Sequence, residues 1–341
     1  MRYIGVDLHT TQLTVCYLDN DKAKMEIFAD SEIDKFKQSL KADDQIAVEA
    51  TSNSNWFYDA FKGLVQKLVV VNTAQFKVIA KSCNKTDKND AQILAEFLSK
   101  DMLPASKTKS TKLVELQSLI STRAVFVKQK TMLKNEIHSI CIQHGLKIKA
   151  SLVDSNKGLN SINNLDLPGL TKVNLQIITN TIMSLNQQIK LLNITIEQEG
   201  KLLGGYEHLT QIKGLGSLTA IMLLIAIGDI DNFESNKKLA AYFGLVPKVR
   251  NSNETINHGG ITKRGDSKIR SNLVQCALVS IKYNEVLKQF YNKLRATKGH
   301  GKAIIATARK LLNLIFYTLK NSWHFTDFVN NEKEVRMINW A

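Results

Sequence analysis

The stretch YIGVDLHTTQLTVCYLDNDKAKMEIFA, residues 3–29, holds three short apolar segments separated by polar tetrapeptides. The composition of residues 2–8, 12–18 and 24–29 is typical of strands, and HTTQ and DNDK supply the turns between them. Connections this short predict three consecutive hairpin-like strands at the start of the chain.

After these strands the pattern alternates between helix and strand. The expected elements are a helix over SEIDKFKQSL, a strand at 45–51, a helix at 55–66, a strand at 67–73, and helices around 74–81 and 87–100. Three hairpin-like strands followed by strand–helix alternation is the order of an RNase H-like domain, an α/β fold. The actin-like kinase fold shares this core, so the order alone leaves both folds open.

The rest of the chain is expected to be mostly helical. Pro104 and the polar run 105–111 indicate a boundary, and residues 111–145 carry a helical repeat. A second helix has an uninterrupted apolar seam, formed by Leu175, Ile178, Ile182, Leu185, Ile189, Leu192 and Ile196. This seam fits an intramolecular helical hairpin or a coiled coil between protomers. We therefore predict three domains, at 1–104, 105–203 and 204–341.

Composition and charge restrict the function. The chain has 341 residues, 44% of them hydrophobic, and a formal net charge of +15, which favours a polyanionic partner. Residues 1–60 have a net charge of −5, whereas 251–320 have +10. The four cysteines form no CxxC pair, and no apolar run is long enough to span a bilayer. We expect a cytoplasmic protein without a zinc site or a membrane segment.

Two carboxylates occupy unusual positions in the predicted strands. Asp7 lies inside the apolar run YIGVDLH, and Glu49 follows the apolar run IAV. Burying a carboxylate costs several kcal/mol unless it is paired. If strand one lies beside strand four, these two anions face each other and repel unless a cation lies between them.

A second pair of carboxylates, Asp87 and Asp90, is three positions apart, so both lie on one face of the predicted helix. Each could simply favour the helix N-terminus. Together with Asp7 and Glu49, they supply four oxygen donors, which is the chemistry of a Mg²⁺ or Mn²⁺ site. Such ions promote phosphoryl transfer.

The segments IGVDLH, AVEAT and KTDKNDAQILAEF resemble the three N-terminal motifs of the DEDD-type insertion-sequence transposases. Relatives of that family include the Piv-type DNA invertases, and its N-terminal domain is similar to the RuvC Holliday-junction resolvase. The resemblance implies that Asp7, Glu49, Asp87 and Asp90 are the metal-binding tetrad. One departure is Ser52, which stands where the family has glycine.

The C-terminal half contains two candidate nucleic-acid-binding segments. Residues 209–224 place Gly214 and Gly216 between two helices, as in a helix-hairpin-helix element or an ordinary capped hairpin. Residues 239–273 are expected to form a flexible basic loop suited to a DNA backbone. Its cations are Lys248, Arg250, Lys263, Arg264, Lys268 and Arg270.

Several hydroxyl groups in this loop could serve as a nucleophile: Ser252, Thr255, Thr262, Ser267 and Ser271. No adjacent base distinguishes one of them. The motifs GLVP and GGITKRGD resemble the C-terminal transposase domain of the same family, in which a serine five residues after the proline attacks DNA. The resemblance implies that Ser252 is this nucleophile, although Asn253 replaces the glycine that usually follows it.

The resemblance further implies a recombinase that moves its own insertion sequence, binds element ends and target DNA, and is guided by a bridge RNA. The family builds its active site between protomers, which implies a dimer or a dimer of dimers. The resemblance also implies a bacterial or archaeal cytoplasm, at the nucleoid, as the location. Three alternatives remain: a RuvC-like junction nuclease that uses water, a kinase, and a non-catalytic nucleic-acid-binding protein. A kinase of this fold needs a second glycine-rich phosphate loop, and this sequence contains none.

Overall fold

A computed structural model describes residues 1–72, 76, 86–106, 108–252 and 255–324, and for residues 249–252 and 255–258 it describes the backbone alone. The chain divides into two compact units, Met1–Thr111 and a second unit that begins at Lys112. The helix predicted around 74–81 lies outside the described residues, apart from residue 76. The predicted boundary at 203/204 stays a prediction.

The first unit contains a five-stranded sheet with the strand order β3-β2-β1-β4-β5. Its first three strands are antiparallel, whereas β4 and β5 run parallel to β1. The strands are β1 (Tyr3–Leu8), β2 (Gln12–Asp19), β3 (Lys22–Ala29), β4 (Gln45–Glu49) and β5 (Lys67–Val71). The structure thus places strand one beside strand four, which is the arrangement in which Asp7 and Glu49 were expected to face each other.

The two faces of this sheet are covered differently. Helices α1 (Ile33–Ser39) and α2 (Ser54–Phe61) contribute aromatic rings that pack with alternate residues of β1, such as Ile4 and Val6. Ser31, the first residue of the predicted helix SEIDKFKQSL, lies instead in a short 3-10 turn before α1. Helix α3 (Asp87–Ser99) packs against the strand residues that alternate with these, because successive side chains point to opposite faces.

Gly5 determines how close α3 comes to β1. A Cβ atom at this position would lie 1.9 Å from the Ala91 carbonyl oxygen and 2.7 Å from the Ala95 nitrogen. Both neighbours are backbone atoms that cannot rotate away, so only glycine permits this approach. The alanines of α3 are fully buried, which extends the same close packing along the helix.

The second unit begins with a helical hairpin. Helix α4 (Thr111–Gln143) runs antiparallel to α6 (Gly169–Lys201), with α5 (Asn156–Asn163) packed beside their far ends. Polar pairs mark the register: Lys112–Glu199, Arg123–Asn193 and Lys130–Asn186. Most of the predicted seam of α6 is buried within this chain. The intramolecular alternative therefore accounts for the apolar repeat.

The described remainder of the second unit, up to residue 324, is mostly helical and contains one β-hairpin. Its helices are α7 (Tyr206–Thr210), α8 (Ser217–Ile227), α9 (Asn236–Tyr242), α10 (Ser267–Ser280) and α11 (Glu285–Lys320). Strands β6 (Pro247–Ser252) and β7 (Thr255–Ile261) are antiparallel. The prediction of a flexible loop over 239–273 was wrong here, since β-branched residues such as Val249 and Ile256 favour a strand despite the polar composition. Within the described part of the chain, no helix has the length and apolarity that a membrane span requires.

Candidate metal centre and nucleic-acid-binding segments

Asp7 lies near the end of β1, on the face that α3 covers. It follows Gly5 by two residues, so both residues lie on the face of β1 that contacts the helix. The residue is only 7% exposed. Its position therefore meets the condition that the sequence suggested, a carboxylate held out of water in the middle of a sheet.

Glu49 is the last residue of β4. Val6 pairs with Val48 in the parallel ladder, so Asp7 and Glu49 are the next residues on adjacent strands. Parallel neighbours in register point to the same face and are separated by about 4.8 Å between strands. Glu49 is half-buried and ends β4 beside Asp7.

Helix α3 supplies the second pair of carboxylates in its first turn. The Thr86 hydroxyl caps the helix by accepting a hydrogen bond from the Asn89 backbone N–H at 3.3 Å. Asp90 is 5% exposed, whereas the Asp87 side chain is 49% exposed. The cap fixes where the helix begins, with both carboxylates in its first turn.

His9 joins the carboxylates, although it was not among the predicted site residues. Its Nε2 atom lies 3.2 Å from Asp7 Oδ2 and 3.4 Å from Asp87 Oδ2. One ligand atom from each of the three residues lies within 4.8 Å of the others. Among the described residues, Glu49 and Asp90 are not members of this cluster. The Asp-x-His spacing at the end of a strand was the signal that could have revealed His9.

The electrostatics of Asp7 reflect this crowding. Burial is the largest cause that raises its pKa above the ordinary value, and the negative charges of Asp87 and Asp90 raise it further. His9 opposes the shift through its charge and its hydrogen bond. Asp90 thus lies close enough to influence Asp7. A group of anions that repel one another in a partly dry site stabilises a bound cation.

The residues fit a divalent cation. Carboxylate oxygens suit Mg²⁺ and Mn²⁺, and an imidazole nitrogen makes Mn²⁺ the better match. Thr14 pairs directly with Asp7 across the antiparallel ladder, and its buried Oγ1 has no hydrogen-bond partner among the described residues. An unsatisfied buried hydroxyl costs about 1–3 kcal/mol unless it gains a hydrogen-bond partner.

The basic segment of the second unit surrounds the β-hairpin. Ser252 is the last residue of β6 and pairs with Thr255; its side chain and that of Arg250 lie outside the description. The exposed cations of this segment are Lys248, Lys263, Arg264 and Lys268. These cations are therefore available to a ligand.

Arg270 is engaged within the protein. Its Nη1 donates to the Gly265 carbonyl at 2.9 Å and also to the carbonyl of Arg264. This contact fixes the turn that precedes α10, which Asp266 caps through the Lys268 backbone N–H at 2.7 Å. The structure therefore gives Arg270 a role in shaping the basic segment.

The two glycines between α7 and α8 have different environments. Gly214 has a φ of 101°, and an added Cβ would lie 2.4 Å from Ser280 Oγ. The glycine therefore permits close packing on the end of α10. Gly216 is exposed, with nothing within 4 Å of such a Cβ. It immediately precedes α8, so the helix N-terminus remains accessible beside it.

Comparison with known proteins matches both halves of the chain to transposases. Residues 4–144 match a transposase domain of DEDD type, and residues 206–292 match the domain described as transposase of the IS116/IS110/IS902 family.

The relatives extend across most of the chain. The chain is 27% identical to the transposase for insertion sequence element IS1111A of Coxiella burnetii, with 80% of this chain and 77% of the relative covered. It is also 27% identical to the pilin gene-inverting protein of Moraxella bovis, over 95% of this chain and 97% of the relative. The protein carries both transposase domains of the IS110/IS116 family of insertion sequences.

Proposed function

We propose that this transposase cuts and rejoins DNA strands with a divalent metal held by Asp7, Glu49, Asp87 and Asp90 and with Ser252 as the nucleophile. The observation that carries the proposal is the convergence of Asp7, His9 and Asp87 within 4.8 Å. The strand order β3-β2-β1-β4-β5 supports an RNase H-like, RuvC-like catalytic domain.

The proposed chemistry is an exchange of phosphate esters. Mg²⁺ or Mn²⁺ would supply Lewis acidity toward a phosphate oxygen. The Ser252 oxygen forms a bond to phosphorus as it loses its proton, one P–O bond to the sugar breaks, and the released sugar hydroxyl takes up a proton. The phosphoserine ester retains the bond energy, so attack by another sugar hydroxyl rejoins the strand without an external energy source.

The proposed partners follow from charge and relatives. The net charge of +15 and the exposed cations around the hairpin suit DNA at the element ends and the target. A relative named as a pilin gene-inverting protein supports a recombination reaction. We further propose a bridge RNA as the guide, a dimer or dimer of dimers as the active form, and the cytoplasm, at the nucleoid, as the location.

The test is a covalent adduct assay. The protein is incubated with supercoiled DNA that carries the element ends, its RNA and Mn²⁺, then denatured and digested for mass spectrometry. We expect a DNA adduct on Ser252. Ser252→Ala should abolish it, whereas Ser271→Ala, which removes another hydroxyl from the same region, should retain it. Asp7→Asn should abolish the adduct while DNA affinity is unchanged.

The outcomes separate the competing functions. Cleavage without any adduct, unchanged in Ser252→Ala, would support the junction nuclease that uses water. DNA binding without cleavage under every metal condition would support the non-catalytic nucleic-acid-binding protein and would overturn the proposal.

A further inference from the structure

An open cleft of about 700 Å³ lies between the β6–β7 hairpin and helix α11. Pro247, Gly259 and Gly260 line the hairpin side, and Lys298 and Lys302 line the helix side. All of these residues belong to the second unit. The cleft shares no residue with the carboxylate cluster, and the cations on its helix side are not among the predicted nucleic-acid-binding residues.

The helix side of the cleft carries three cations in a row. Lys302 and Arg309 are seven residues apart on the helical segment that follows Gly299, so they lie on one face roughly 10 Å apart, and Lys298 lines the cleft just before that segment. Within the described ranges none of them forms an ion pair with a carboxylate. Three uncompensated cations along one wall of the cleft match several phosphates of a nucleic-acid strand better than a single small anion.

A break in α11 adds further donors at the same place. Gly299 has a φ of 77° and a ψ of 167°, which interrupts the helix. The helix restarts immediately afterwards, and Gly301 lines the cleft. The first backbone N–H groups of a helix have no intrahelical acceptor and carry a partial positive charge. They reinforce the attraction of the neighbouring lysines for an anion.

The remaining surface of the cleft is open and apolar. Ile261 and Ile305 contribute aliphatic surface between the cations, and a Cβ added at Gly260 would meet nothing within 4 Å. Alternating cations and apolar surface suit a strand whose phosphates contact the lysines while its sugars and bases contact the wall. The described lining residues include no aromatic or amide side chain, which predicts little preference for base sequence.

From this arrangement we propose that the cleft binds one single strand of DNA through its phosphodiester backbone. Pro247 in the cleft and Ser252 are five residues apart on β6, a separation of roughly 16 Å along the strand. A bound strand would thus be guided along the hairpin that carries the proposed nucleophile. The inference rests on the proposed function only in taking nucleic acid as the partner.

The test measures equilibrium binding of a labelled single-stranded DNA oligonucleotide in EDTA, so that no metal chemistry intervenes. The variant Lys298→Gln/Lys302→Gln/Arg309→Gln removes the three cations. Each lost phosphate contact lowers the salt dependence of the association constant by about 0.7, so the slope should fall by about 2. Raising the salt fourfold should then weaken native binding roughly 20-fold more than binding by the variant.

The control is Lys288→Gln/Lys293→Gln/Arg295→Gln, which removes three exposed cations from the same helix outside the cleft; one of them, Lys288, pairs with Glu285. It should retain the native slope. Gly260→Glu provides a second variant that is expected to fold, since its position is exposed and unobstructed. It should weaken binding about tenfold or more, because it places a like charge beside phosphate.

Equal slopes for the native protein and the cleft variant, or equal losses in the cleft and control variants, would overturn the inference. An RNA strand of the same sequence forms a second arm, and loss confined to RNA would overturn the assignment to DNA. If cleft-dependent binding is observed but the adduct assay fails, the cleft stands and the proposed function falls. If the adduct forms but the cleft variant binds DNA as the native protein does, the proposed function stands and the cleft inference is wrong.

Discussion

Gly5→Ala tests whether the approach of α3 to β1 builds the carboxylate cluster. The added methyl carbon would lie 1.9 Å from the Ala91 carbonyl oxygen, whereas the closest ordinary carbon–oxygen contacts are about 3.3 Å. The helix and strand must therefore separate by roughly 1 Å or more. Because both obstructing neighbours are backbone atoms, we expect the upper end of overpacking costs, a loss of about 3 kcal/mol in the free energy of unfolding.

The same displacement should loosen the metal centre. Asp87 and Asp90 are carried by α3, whereas Asp7 is carried by β1. A shift of about 1 Å between the elements that hold them should weaken Mn²⁺ binding at least tenfold, since misplacement of this size typically costs a site up to about 100-fold in performance.

The stability assay is urea unfolding followed by Trp56 fluorescence, after Trp323 and Trp340 have been replaced by phenylalanine. Trp56 then reports on the first unit as the only remaining tryptophan. Mn²⁺ affinity is measured by calorimetry on the same proteins. Gly63→Ala is the control, because a Cβ at that glycine meets nothing within 4 Å. If Gly5→Ala and Gly63→Ala are equally stable and bind Mn²⁺ equally well, the packing argument is refuted.

Three further predictions concern single side chains. Burial raises the pKa of Asp7, so without metal Asp7→Asn should melt at a higher temperature than the native protein at pH 7. That advantage in melting temperature should vanish as the pH falls below 3.8, the ordinary pKa of an aspartate. Saturating Mn²⁺ should make the native protein the more stable of the two. A higher melting temperature of the native protein without metal would contradict the prediction. His9→Ala should weaken Mn²⁺ binding about 10–100-fold, as measured by calorimetry, and an unchanged affinity would exclude His9 as a ligand. Burial lowers the pKa of Lys310 to about 8, so native stability should rise with pH from there toward 10.5. Lys310→Met should raise the free energy of unfolding by about 2 kcal/mol at pH 7, a figure that allows for the lost cation–π contact with Phe290. The gain should be smaller near pH 10, and a gain independent of pH would contradict the prediction.

The sequence by itself determined most of the secondary structure of the first unit. Alternating apolar residues and short polar turns specified three antiparallel strands followed by strand–helix alternation, because these signals depend on residues close together in the chain. Polar residues in apolar strands likewise singled out Asp7 and Glu49. The hairpin at 247–261 was missed because its glycine, polar and basic residues obscure the β-branched positions.

Only the tertiary structure decided which of these side chains meet. The distance of His9 from Asp87 depends on Gly5, which lets a helix that begins about 80 residues later pack directly on β1. Likewise, the apolar repeat of α6 fitted two partners until its packing on α4 and α5 showed which face was buried. Local patterns specify what a residue prefers to contact, whereas contacts between distant segments depend on the packing of the whole unit.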